Sequence, residues 1–129
     1  MTTPHLPDDV RLHSLGVVPL DVDLGVVAGH RVLLLSLERW DGWADLRFAR
    51  IDEQQVHRLT RRVPPADAWH VVVDGSPVRV HDAVGRGDRT FSNGEVRLSP
   101  WPADARHLDV TVEVAPGHGP LHASFDLAG

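Results

Sequence analysis

The chain of 129 residues contains no cysteine, no lysine and no tyrosine, and its 42% apolar content is never gathered into a long run. Without cysteine there is no disulfide, no thiol nucleophile and no zinc site that needs sulfur. No apolar stretch approaches the roughly 18 residues that a membrane-spanning helix requires, so membrane insertion is not expected. Basic charge is scarce as well: 13 basic residues, all arginine, stand against 18 acidic ones, for a formal charge of −5. Nonspecific binding to nucleic acid or to an anionic membrane draws on clustered Lys and Arg, and this balance argues against both. The one basic cluster is Arg58, Arg61 and Arg62, too few to supply the counterion release that nucleic-acid binding shows. The all-arginine pattern, with abundant Val, Asp, Gly and Pro, is what a high-GC coding bias produces. The opening residues, Met1 to Asp9, carry no basic n-region and no apolar h-region, and the expectation is a cytoplasmic protein. Catalytic signatures are missing too: there is no Gly-x-Ser-x-Gly elbow, phosphate-cradling loop, His-Glu-x-x-His or dinucleotide fingerprint.

What the chain does have is alternation. Its length suits a single domain. Leu20, Val22, Leu24 and Val26 alternate with Asp21 and Asp23. Val32 to Leu37 reads as a strand covered on both faces, with Leu33, Leu35 and Leu37 on one side and Val32 and Leu34 on the other. Asp41-Gly42 predicts a type I′ hairpin turn, because Asp-Gly accepts the positive φ that both central positions need. Ala44, Leu46 and Phe48 follow as an inward set, with Asp45 and Arg47 outward. From Glu53 to Arg62 the spacing of Val56, Leu59 and Val63 permits one short helix, stopped by Pro64-Pro65. Ala68 to Asp82 reads as a second hairpin, with a turn at Asp74-Gly75-Ser76-Pro77. Ala83 to Gly94, with three glycines, reads as a mobile loop. Val96 and Leu98, then Leu108 to Val114 and Leu121 to Leu127, complete the set. Such short alternating runs separated by turn residues predict an all-β, two-layer β-sandwich of about seven to eight antiparallel strands over residues 16–129. Residues 1–15, with little periodicity, are expected to form a flexible arm.

Trp69-His70-Val71-Val72-Val73-Asp74 turning through Gly75, and Leu98-Ser99-Pro100-Trp101-Pro102 followed by a small-residue turn and an alternating strand, resemble a known pattern. They are similar to the immunoglobulin-like β-sandwich proteins of uncharacterised function in high-GC bacteria. The likeness runs from Trp69 to Val114, with Arg79-Val80 where relatives carry an aromatic pair and Leu98 where they carry Phe. It implies an immunoglobulin-like fold and no chemistry, since fold does not transmit function.

Four groups of residues are candidates for function. Trp40 and Trp43 flank the Asp-Gly turn as cross-strand neighbours, expected to meet edge to face and able to anchor a partner. Arg86 and Asp88 stand in the glycine-rich stretch as polar contacts at a loop tip. His118 and His122, among nine histidines, are four apart and are the weak metal candidates, with His107 and Asp109 as further ligands if neighbouring strands bring them close. Asp21 and Asp23 share a strand face that a Ca²⁺ ion could use. The expected function is a non-catalytic module that engages a protein partner, or a second copy of itself, through end loops (40–43 and 83–94) or sheet edges. Trp69 and Trp101 are assigned to the core. The alternative is a sandwich that binds a small ligand or a metal ion; no resident cofactor is expected.

Overall fold

Alternation becomes structure in eight antiparallel strands, seen in a computed structural model that describes residues 14–53, 63–87 and 90–127. They are β1 (Ser14–Val27), β2 (His30–Trp40), β3 (Trp43–Asp52), β4 (Trp69–Val73), β5 (Ser76–Gly87), β6 (Phe91–Ser99), β7 (His107–Val112) and β8 (Leu121–Asp126). The helix expected over 53–62 lies outside the described residues apart from Glu53, and so does most of the expected arm. Among the described residues the one helical piece is a 3₁₀ turn, Ala66–Ala68. No helix among them is long and apolar enough to cross a membrane.

The strands follow the order β1-β2-β3-β6-β5-β4-β7-β8. β4, β5 and β6 are consecutive hairpin partners and β7 returns beside β4, which is a Greek key. β5 changes neighbour along its length. Ser76–Val78 pair with β4, and Arg79–Gly87 pair with β6 across a bulge between Val80 and Asp82. At the ends of the order β1 packs beside β8, where Gly25 lies against Leu121, so the sheet wraps into a nearly closed, barrel-like form. The all-β class and the antiparallel pairing thus agree with the alternation in the sequence.

Inside the wrap lie Leu34, Leu46, Phe48, Trp69, Val71, Val96, Leu98, Leu108 and Val110, each at most 2% exposed. The rings of Phe48 and Trp69 meet at 4.9 Å between centroids, and the Trp69 indole N–H donates to the Pro64 carbonyl. Trp101 is buried too, as the sequence predicts.

Three local expectations are corrected. First, Leu33, Leu35 and Leu37 do not share a face. A register shift between Leu34 and Ser36 inserts one residue, so Val32, Leu34 and Leu37 are buried while Leu35 is 40% exposed. Second, the 40–43 turn has positive φ at Gly42 alone, which is not type I′; Asp74-Gly75 and Ala28-Gly29 have it at both central positions. Third, 83–94 is not a loop. Ala83–Gly87 and Phe91–Gly94 are paired strand, and the glycines are there for close approach: a Cβ on Gly85 or Gly94 would collide with the backbone carbonyl of the facing strand.

Candidate functional site

Register sets the outer face of β1, β2, β3, β6 and β5 near the β2–β3 turn. Val17 pairs with Glu38, Glu38 with Asp45, Trp40 with Trp43, Asp45 with Arg97, and Arg97 with Asp82, so these side chains stand together on one surface. The Trp40 and Trp43 rings stack face to face, 5.0 Å apart and 3° from parallel, in place of the expected edge-to-face contact. Arg97 lies over Trp43 with its guanidinium carbon 4.5 Å from the ring centroid. Asp45, with 6% of its side chain exposed, holds Arg97 there through Nε at 3.2 Å and Nη2 at 3.5 Å. Those hydrogen bonds also push the guanidinium pKa further up, so the cation is permanent. Beside this group Leu15 and Val17 are 45% and 60% exposed, and the backbone N–H of Trp101 fixes the turn by donating to the Gly42 carbonyl at 3.0 Å.

Arg86 is exposed near the end of β5, opposite Asn93, and Asp88 lies outside the described residues. β3 runs from Ala44 beside Leu98 to Ile51 beside Phe91. The β5–β6 turn is therefore at the far end from Trp40 and Trp43, roughly 23 Å along the strands at about 3.3 Å per residue. Arg86 does not meet the tryptophan pair.

The same outer surface carries Glu38, Asp45 and Glu95, whose carboxylate oxygens lie within 4.8 Å of one another. Arginines neutralise the group: Arg47 reaches Glu38 at 3.6 Å and Glu95 at 3.8 Å, and Arg97 holds Asp45. Asp23, proposed for Ca²⁺, is taken by Arg31 at 2.5 Å and by the Gly25 N–H at 2.8 Å, while Asp21 sits in a bulge at φ 51°.

On the β7–β8 hairpin the registers bring together residues that the sequence only loosely associates. His118 stands in the turn, its N–H donating to Ala115, and His122 lies in β8. His107 pairs with Asp126, Asp109 with Ser124 and Thr111 with His122. His107 Nδ1 is 2.6 Å from Asp126, its Nε2 is 2.7 Å from the Ser124 hydroxyl, and Asp109 lies 3.7 Å from His107 Nε2 and 3.9 Å from His122 Nε2. Ser124, His107 and Asp126 stand in the order of an acyl-transfer triad. The geometry does not make them one, because Asp126 is 89% exposed and Asp109 also faces the nitrogen that would serve as base.

The hydrogen bond to Asp126, aided by the charge of Asp109, raises the His107 pKa above the ordinary 6.5. A raised folded-state pKa means that the stabilisation by the protonated ring is fully present below the ordinary value. It is lost as pH rises through the folded value. An NMR titration of metal-free protein should place His107 above 6.5, and Asp126→Asn should bring it back down.

The sequence reading missed one further constellation. The side chains of His30, Arg50, Asp52 and Ser92 are buried at the end of the barrel away from Trp40 and Trp43. His30 Nδ1 donates to Asp52 at 2.6 Å, Arg50 Nη1 is 3.5 Å from the other Asp52 oxygen, and Arg50 Nε donates to Ser92 at 3.1 Å. The signal was present in the sequence: the inward set Ala44, Leu46, Phe48 continues by twos to Arg50 and Asp52.

Comparison of the chain with known protein families, with curated proteins and with solved structures finds no match.

Proposed function

We propose that the protein is a non-catalytic binding module whose contact surface is the outer face around Trp40, Trp43 and Arg97, and that its first partner is a second copy of the chain. The observation that carries this reading is the Trp40–Trp43 stack with Arg97 locked over it by Asp45. Trp and Arg are the residues that dominate binding energy at protein interfaces, and these are already stacked and ion-paired within the one chain. Leu15 and Val17 add exposed apolar area beside them. Charge supports a copy of the chain as partner. Arg47 and Arg97 interleave with Glu38, Glu95 and Asp82 on this face, and a surface mixing both signs can meet itself across a two-fold axis.

Side chains, not strand addition, would make the contact. β1 is broken by three register shifts and carries Pro19 in the middle, features that blunt an edge against pairing. The immunoglobulin-like, two-layer arrangement belongs to the same reading; what favours it is β5, which passes from one set of partners to the other at a bulge, as strands do at the corner between two sheets.

Replacing Trp40 and Trp43 together by Ser should weaken association by tenfold or more, read by light scattering on eluted protein across a concentration series. The far-UV dichroism should keep its β-sheet form and the melting temperature should fall by less than for truncation of the fully buried Trp69, because the two rings are half-buried and their stacking adds only about 1 kcal/mol beyond the buried area. Association equal to that of the wild type would remove this face from consideration.

A further inference from the structure

We infer that the outer face of the β7–β8 hairpin is a binding site for a divalent transition-metal ion of the zinc class, held by His107 Nε2, Asp109 and His122 Nε2. Two imidazoles and a carboxylate are the nitrogen and oxygen donors that such an ion takes, leaving a fourth position for water. Their positions are set by the antiparallel register of two paired strands, not by a loop. Asp109 Oδ1 is the shared neighbour, 3.7 Å from one imidazole nitrogen and 3.9 Å from the other. Around a tetrahedral ion with bonds of roughly 2.1 Å, ligand atoms stand about 3.4 Å apart, so the two pairs made by Asp109 need only a small contraction, while the two imidazole nitrogens, farther apart than 4.8 Å, close on the ion by rotation of the His122 ring. His107 and His122 are 38% and 54% exposed, which lets the His122 ring turn inward toward the held His107 and leaves the ion a path from solvent.

A second observation, independent of that clustering, is the orientation of His107. Its Nδ1 is bonded to Asp126 at 2.6 Å. Histidines that ligate metals nearly always donate their other N–H to a carboxylate, which fixes the tautomer and turns the Nε2 lone pair outward. Here Nε2 faces Asp109 and the Ser124 hydroxyl, 2.7 Å away. On binding, the ion would replace that hydroxyl as the partner of Nε2. His118, in the turn, takes no part, so the pair set by spacing along the chain gives way to a trio set across the strands.

The test is calorimetric titration of the untagged full-length protein with Zn²⁺ near neutral pH, with Co²⁺ visible absorption reporting coordination number. Saturable binding of one ion per chain and the intense absorption of four-coordinate Co²⁺ are expected. Asp109→Asn and His122→Ala should each weaken binding by tenfold or more. Asp126→Asn should weaken it by about 10- to 100-fold without removing a ligand, as loss of an orienting carboxylate does. His118→Ala should leave affinity unchanged. Circular dichroism of each variant without metal checks that the fold is retained. No saturable binding below millimolar Zn²⁺ would overturn the assignment, as would binding that survives Asp109→Asn and His122→Ala or falls with His118→Ala instead.

Discussion

Replacing Asp52 with Ala is expected to lower the free energy of unfolding by about 3 to 5 kcal/mol, the cost of removing one partner from a buried ionic group. His30, Arg50 and Asp52 expose 1%, 3% and 4% of their side chains. Taking the carboxylate away removes the ion pair to the Arg50 guanidinium at 3.5 Å and the hydrogen bond from His30 at 2.6 Å, both between nearly fully buried side chains. The loss is large against a total stability of roughly 5 to 15 kcal/mol, so a destabilised or unfolded protein is the expected result, read by urea denaturation. Replacing Arg50 and Asp52 together, by Met and Leu, should recover part of it. An apolar pair of similar volume carries no desolvation penalty, whereas half of an ion pair carries all of it. Asp52→Ala costing less than 1 kcal/mol would mean that the network is dispensable to the fold.

Trp69→Ala should cost a similar amount, about 3 to 5 kcal/mol, for a different reason. Its indole is 2% exposed, packs on Phe48 at 4.9 Å and donates to the Pro64 carbonyl. Truncation therefore leaves a cavity lined by Phe48 and the neighbouring valines, along with an acceptor that has lost its donor. Trp69→Phe restores much of the volume and should return most of the loss, leaving about 1 kcal/mol for the missing hydrogen bond. Set beside the small effect expected of the Trp40 and Trp43 substitutions, this ordering separates core tryptophans from surface ones by thermal or chemical denaturation. Equal losses at Trp43 and Trp69 would contradict it.

Much of the fold was legible because apolar alternation is a local property. Val71 and Val73, Leu108 to Val112, and Ala44 to Phe48 all point where their spacing says. Alternation failed where one inserted residue changed its phase, as at Leu35, because a bulge leaves no mark in composition. It failed again at Gly85 and Gly94, where glycine meant close backbone approach and was read as flexibility. The pairing of β3 with β6 and of β4 with β7 was out of reach, since no local pattern selects a partner so distant in sequence. The same limit hid the β7–β8 site. His107, Asp109 and His122 were each noticed, but spacing along the chain favoured His118, and only the register across the hairpin shows which of them face one another. Arg50 and Asp52 were missed for the opposite reason: their period was visible, and their charge suggested solvent.

The most direct measurement is a concentration series of ¹⁵N–¹H spectra following the indole N–H signals of the four tryptophans. If the outer face around the stacked pair is the contact surface, the Trp40 and Trp43 signals move with concentration, together with the backbone signals of Leu15, Val17 and Arg97, while Trp69 and Trp101 stay fixed. Shifts confined to the β5–β6 turn or to the β7–β8 face, or no shift at any concentration while mass measurements show a monomer, would contradict self-association through this surface.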